Sequence, residues 1–230
     1  MEIYALICTR SREDISETTD KLVSFLSRCG IKITLIAGAQ SLFRAYKGAF
    51  EKNNANPEDI IIMCHDDIEI RENPTTFIEK VKNTLDRDMV AFAGPAGTTF
   101  LDKDAIWWEQ GRWQQGLHKG KVTHIDPKGK EYLTSYGPPD DVVVLDGLFL
   151  CAKAKIIKEI GLEKPDYFTG EWDFYDLHYT STAFLKGYVN TVIDMDIVHH
   201  SRGELVGRDS WHLNRAAFIE NTELPLKLFE

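Results

Sequence analysis

Asp59-Ile60-Ile61-Ile62-Met63-Cys64-His65-Asp66-Asp67-Ile68-Glu69-Ile70 is the stretch whose reading decides the fold. The run from Ile60 to Cys64 is apolar on both faces of an extended chain, as suits a central strand in a sheet covered on both sides. It stops at His65-Asp66-Asp67, so an imidazole and two carboxylates are presented where the strand meets its loop. In open α/β sheets ligands bind at the carboxyl ends of strands. Carboxylate oxygens with an imidazole are donors suited to a divalent cation. A merely acidic loop is the competing account, and the flanking chain has to decide between them.

Upstream, the signals alternate. Glu2 to Cys8 reads as a strand followed by the polar loop Thr9-Arg10-Ser11-Arg12. Asp14 to Arg28 reads as a helix, with Asp14 or Ser16 as cap and Gly30 as stop. Ile31 to Ala37 reads as a strand, and Leu42 to Phe50 as a helix. Strand, helix, strand, helix, strand is the pattern of βαβ units and a largely parallel sheet. Downstream, Pro74 to Leu85 is a helix opened by proline, and Met89 to Ala93 is a strand closed by Gly94-Pro95-Ala96-Gly97.

The segment 98–139 breaks the rhythm. It holds Trp107, Trp108 and Trp113, and it reads as a functional loop or inserted hairpin, with Lys119 to Tyr132 folding about Pro127-Lys128-Gly129. Asp141 to Ala152 is expected as one strand crossing Gly147, Lys153 to Ile160 as a short helix, and Asp173 to Lys186 as a longer one. Val189 to Val198 is expected as the last strand, running into His199-His200. A helix near Ser210 to Ile219 lies in the tail, 201–230. The expectation is one domain over residues 1–230.

The chain has 230 residues, 43% hydrophobic and 27% charged, with a formal charge of −9. That balance suits a soluble globular protein and argues against a nucleic-acid binder, whose footprint is basic. Cys8, Cys29, Cys64 and Cys151 are widely spaced, which disfavours a zinc knuckle and reads as reduced thiols. The amino terminus lacks the features of a signal peptide, and no run reaches the ~18 apolar residues of a membrane span. A cytoplasmic protein without a transmembrane segment is expected.

Three clusters could carry chemistry: His65-Asp66-Asp67, the acids Glu171, Asp173 and Asp176, and His199-His200. A carboxylate pair with a distant histidine suits Mn²⁺ or Mg²⁺, and a carboxylate left free beside the ion could act as a general base. Glu171 and Asp173 could equally cap the following helix. One of His199 and His200 must face away, because neighbours on a strand alternate. Trp107 and Trp108 could stack on an acceptor sugar or form a small core beneath a long loop. Trp172, beside Asp173, is the better candidate for lining a site.

Taken in order, T-R after strand one, R-A-Y-K-G-A-F (44–50), H-D-D-I-E-I (65–70), V-V-V-L-D-G-L-F-L (142–150), F-Y-D-L (174–177) with G-Y eleven residues after its Asp, and V-H-H-S (198–201) resemble a small family-2-like inverting glycosyltransferase. The likeness runs from Ile3 to about Gly203. It implies the GT-A (nucleotide-diphospho-sugar transferase) fold, a mostly parallel central α/β sheet flanked by helices with a small antiparallel insertion. It also implies a UDP- or GDP-linked donor and a glycan, glycolipid or glycoprotein acceptor.

By that resemblance Asp67 would bind the metal and Asp176 would be the catalytic base, with Asp173 and Glu171 in reserve. His199 would complete the metal site, with His200 in reserve. Thr9, Arg10, Arg44 and Tyr46 or Lys47 would lie against the nucleotide, and Asp146 and Gly147 would face donor sugar and acceptor. His65 stands where the family has an acid, which leaves open whether His65 or Asp66 meets the metal or the ribose. Tyr175 stands where it has glutamate. Arg202 or Arg208 could assist the diphosphate. The alternatives are a catalytically silent nucleotide-sugar or glycan-binding module, kept open by those two departures but opposed by the intact Asp67, Asp176 and His199, and a nucleotidyltransferase or metal phosphohydrolase. A nucleotidyltransferase should show a glycine-rich loop after strand one, and Thr9-Arg10-Ser11-Arg12-Glu13-Asp14 has no glycine.

Overall fold

A computed structural model describes residues 1–9, 15–108, 115–126, 128–200 and 209–228. The first half follows the alternating pattern: β1 (Ile3–Thr9), α1 (Glu17–Arg28), β2 (Lys32–Ala37), α2 (Leu42–Asn53), β3 (Ile60–His65), β4 (Ile68–Ile70), α3 (Pro74–Leu85), β5 (Val90–Gly94) and β6 (Ala96–Thr98). Then come β7 (Phe100–Leu101), the hairpin β8 (His118–Ile125) and β9 (Glu131–Gly137), and β10 (Asp141–Val142), β11 (Val144–Leu145) and β12 (Phe149–Lys153). The chain continues through α4 (Ala154–Ile160), α5 (Tyr175–Leu185), β13 (Val189–Val192), β14 (Ile197–His199), α6 (Asp209–Asn221) and β15 (Leu226–Lys227).

A seven-stranded sheet has the order β10-β13-β5-β12-β3-β1-β2. In it β1, β2 and β3 are mutually parallel, β13 is parallel to β5, and β12 runs antiparallel between β3 and β5. Ile60 to Cys64 are wholly buried, as a strand covered on both faces requires. Helix α1 meets α3 through Phe25 and Phe77, whose rings stand edge to face at 5.4 Å. Helix α2 packs on α5 through Phe43 and Tyr179 at 5.8 Å. Local signals fix the helix starts. Ser16 accepts from the Thr19 N–H, Ser41 from the Arg44 N–H, and Asn73 from the Thr75 N–H just before Pro74.

A second sheet, β11-β6-β8-β14-β4 with β9 on β8, stands beside the first. The chain passes between the two sheets repeatedly. It crosses at Asp66-Asp67 from β3 to β4, at Pro95 from β5 to β6, and at Val143 from β10 to β11. It crosses again at 146–148 from β11 to β12, and at 193–196 from β13 to β14. The expected single strands over 141–152 and 189–198 are therefore each broken. Val142 to Leu145 and Leu148 to Ala152 are buried throughout, so no polar alternation marks the breaks. The turn at Asp146-Gly147-Leu148 is closed by the Leu148 N–H donating to Asp146 Oδ1 at 2.9 Å.

The 98–139 segment is largely structured. Its hairpin is longer than expected and turns at Asp126, which accepts from the N–H groups of Lys128 and Lys130. Among the described residues no helix is long and apolar enough to cross a membrane.

Candidate active site

The carboxyl end of β3 delivers His65 to the first sheet crossing, with Asp67 two residues on. Register then brings in the carboxyl-terminal part of the chain. Strand β14 lies antiparallel to β4 with His199 opposite Ile68, so the imidazole arrives beside Asp67. His199 Nε2 is 3.4 Å from Asp67 Oδ1, and His65 Nδ1 is 3.8 Å from the same oxygen. The two imidazole rings are 5.6 Å apart.

One ligand atom from each of His65, Asp67 and His199 lies within 4.8 Å of the others, the only such cluster among the described residues. Asp67 Oδ1 and His199 Nε2 are shielded from solvent without a hydrogen-bond partner. Buried polar atoms left unmatched are costly, and a cation between them would satisfy both. Two imidazoles and one carboxylate form a donor set for Mn²⁺ or a similar divalent ion, with coordination positions left for other oxygens. The residues fit such an ion.

His200, the reserve ligand, does not join this cluster. Strand alternation turns it to the other side, where Nε2 is 3.4 Å from Glu69 Oε2. Glu69 also pairs with Arg71, which in turn holds Glu131 of β9.

Asp176 sits in the first turn of α5, where Oδ2 accepts from the Gly147 N–H at 2.9 Å. Burial, and then the nearby charge of Asp146, push this carboxyl up to about 7. The Tyr175 hydroxyl donates to the Gly147 carbonyl at 2.7 Å and lies 2.9 Å from His65 Nε2. A Cβ on Gly147 would come within 2.3 Å of the Tyr175 hydroxyl, so only glycine allows this approach. Burial disfavours a charge on His199, but Asp67 and Asp146 outweigh it and raise its proton affinity. Burial works against the Asp67 carboxylate too, and His199 and His65 hold it below its usual range. For His65 burial wins, helped by His199, and keeps the ring neutral more readily than a free imidazole.

The other expected residues are scattered around this centre. Thr9 is buried at the end of β1, one residue past Cys8, which lies beside His65 in the parallel register. Asp66 faces the same crossing, its carbonyl accepting from the Thr19 hydroxyl at 3.0 Å. Arg44 is exposed and 3.6 Å from Glu171, which also lies 3.4 Å from Lys164. Lys47 pairs with Glu163 and lines a groove of about 320 Å³ with Phe50, Glu51 and Ile157. That groove includes none of the cation cluster.

Tyr46 is completely buried, its hydroxyl donating to the Cys64 carbonyl at 3.3 Å. It lies beneath the strand ends and presents no surface to a nucleotide. Glu171 and Asp173 do not cap α5, whose N-terminus has no side-chain cap. Asp173 instead accepts from the Ser210 hydroxyl at 2.8 Å, tying α6 to the site.

Trp107 is 2% exposed and packs on Trp108, His118 and Tyr136. Trp108 continues to Trp211. These indoles form the small core of the inserted segment, and Trp107 has no free face for a sugar. Trp172 is 41% exposed. Arg10, Trp113, Arg202 and Arg208 lie outside the described residues. Two participants were not expected: Tyr175 as the partner of His65, and His124 of β8, whose ring is 6.0 Å from that of His199.

Comparison with known proteins bears on the family and the fold. The chain is 27% identical over 191 residues to the streptomycin biosynthesis protein StrF of Streptomyces griseus, a match covering 80% of this chain. It spans 62% of the length of that relative. Its fold is similar to GalNAc-T7 crystallised with UDP, GalNAc and Mn²⁺, with a TM-score of 0.54, 11% identity, and coverage of 92% of this chain and 45% of that one. It is also similar to A197 from STIV, with a TM-score of 0.50, 10% identity, and coverage of 87% and 86%. The fold is thus the GT-A type, mixed α/β about a central sheet. The model of the "Glycosyltransferase like family" matches residues 6–221, and the chain belongs to that family.

Proposed function

We propose that this protein is a metal-dependent inverting glycosyltransferase that moves a sugar from a nucleoside-diphosphate donor, UDP- or GDP-linked, to a hydroxyl of a glycan, glycolipid or glycoprotein. The observation that carries this is the meeting of two groups at two sheet crossings that Tyr175 bridges, its hydroxyl 2.9 Å from His65 Nε2 and 2.7 Å from the Gly147 carbonyl. His65, Asp67 and His199 form a set that could hold a cation, and the Asp176 carboxylate is anchored on Gly147.

His65, Asp67 and His199 would hold Mn²⁺, with Mg²⁺ the weaker fit to two imidazoles. The ion, when bound, neutralises charge that develops on the leaving diphosphate. The Mn²⁺ and UDP held by GalNAc-T7 support the same pair here. Asp176 would take the proton of the acceptor hydroxyl as that oxygen attacks the sugar carbon opposite the leaving group. A carboxyl raised to about 7 is a stronger base than an ordinary aspartate. Thr9 and Asp66 would meet the nucleoside from the ends of β1 and β3, with Arg44 at the rim, while Asp146 and Gly147 would face the sugar. Trp172 would offer its exposed ring to the acceptor. Four unpaired cysteines support a reducing, cytoplasmic setting.

The deciding experiment is a thermal-shift panel of UDP- and GDP-sugars, with and without Mn²⁺. Stabilisation by one nucleotide class that requires the ion is expected. If no nucleoside diphosphate stabilises the protein in an ion-dependent way, the proposal fails.

A further inference from the structure

The two positions at which the chain departs from its family's pattern, His65 and Tyr175, touch each other. They lie 110 residues apart in sequence, yet His65 Nε2 and the Tyr175 hydroxyl are 2.9 Å apart. That hydroxyl is also 2.7 Å from the Gly147 carbonyl. A carbonyl oxygen can only accept, and a phenol has one proton to give. The Tyr175 proton is therefore committed to Gly147, and its oxygen can only accept from His65. Proton placement on the imidazole follows from this: Nε2 carries the hydrogen and Nδ1 carries the lone pair. The other tautomer gains nothing, because Nδ1 is 3.8 Å from Asp67 Oδ1, beyond hydrogen-bond reach.

We propose that Tyr175 is a positioning residue, which locks His65 in the Nε2–H tautomer and turns its Nδ1 lone pair toward Asp67 and His199 as a cation donor. The proposal rests on the metal-dependent reading above. Tyr175 is well placed for it. The ring is buried against Phe43, Tyr46 and Tyr179, so the hydroxyl cannot swing away. Gly147 leaves it room that a side chain would fill. A histidine that ligates a metal needs a partner on its other nitrogen to fix ring orientation and raise its basicity. An acid at position 65 would need no such fixing.

The test uses the full chain, labelled with ¹⁵N and freed of metal at pH 8. Long-range ¹H–¹⁵N correlation should show wild-type His65 protonated on Nε2, and Tyr175→Phe should shift the proton toward Nδ1. Calorimetric titration with Mn²⁺ alone should show about 10- to 100-fold weaker binding in Tyr175→Phe. In a His65→Ala background the same change should have no further effect. Wild-type His65 protonated on Nδ1 would overturn the proposal without recourse to any variant. So would a Tyr175→Phe protein with wild-type Mn²⁺ affinity. Wild-type protein that shows Nε2–H but does not bind Mn²⁺ would overturn the metal reading and the donor role of His65 together.

Discussion

The Gly147 N–H donates to Asp176 while the Gly147 carbonyl accepts from Tyr175, the residue next to Asp176 in sequence. One peptide turn thus grips both the acid and its neighbour at the start of α5. Phe174, just before them, is left-handed at φ 67°, a conformation costing about 1–3 kcal/mol for a non-glycine residue. The grip on Gly147 helps hold that conformation in place.

Gly147→Ala should disrupt both contacts, because the new methyl would lie 2.3 Å from the Tyr175 hydroxyl and 2.9 Å from Asp176 Cβ. Overpacking of this kind costs about 1–3 kcal/mol. A lower melting temperature is expected, together with a loss of transfer larger than the stability change explains. Calorimetry and initial rates on the same preparation would check it.

Asp176→Asn should abolish transfer and leave donor binding nearly intact. In wild type the rate should rise with pH through about 7, the value to which burial and Asp146 push the carboxyl. Stability should move the opposite way. The folded carboxyl holds its proton over the range from about 4, where the unfolded group ionises, up to about 7, so stability falls as pH rises through that window. Asn has no such dependence. The melting temperature of the variant relative to wild type should therefore rise between pH 5 and pH 8. A flat difference would show that the carboxyl ionises as an ordinary one.

Asp67→Ala and His199→Ala should each weaken Mn²⁺ binding and remove ion-dependent donor binding, by at least about 10-fold. His200→Ala should leave Mn²⁺ affinity within about 2-fold, because its ring faces Glu69. Titration of the three variants side by side with Mn²⁺ separates the two neighbouring histidines. Removing the ion from wild type with a chelator should mimic Asp67→Ala.

Trp172→Ala should raise the acceptor KM with little change in melting temperature, since its ring is exposed. Trp107→Ala should instead cost about 3–5 kcal/mol, as befits a core indole. Denaturant unfolding and acceptor kinetics on both variants would tell a binding surface from a packing one.

Much of the fold was legible because the signals were local. The Ile60–Cys64 run, the Ser16 cap and Pro74 each act within a turn or a strand. The sheet crossings were not legible. Val142 to Ala152 is buried on both faces almost throughout, and a chain with no exposed side shows no change of period when it passes to another sheet. The candidate site was legible as a set of residue types but not as a set of contacts. Alternation required one of His199 and His200 to turn outward, yet only the pairing of His199 with Ile68 says which. The burial of Tyr46 and Trp107 is set by contacts with elements further along the chain, Tyr175 for the one and His118 and Tyr136 for the other. The pairing of His65 with Tyr175 had one sequence trace, two departures from a pattern in a single chain.

The crossings between sheets have a consequence for how the molecule is made. His65 and Tyr175 meet across 110 residues, and His199 joins from a strand further on still. Contacts closing such long loops form late, after local helices and hairpins, because the chain entropy must be lost before they give any return. A nascent chain that has not yet reached His199 holds no complete cation cluster. On the proposed reading, ion-dependent donor binding would have to wait until both sheets have docked.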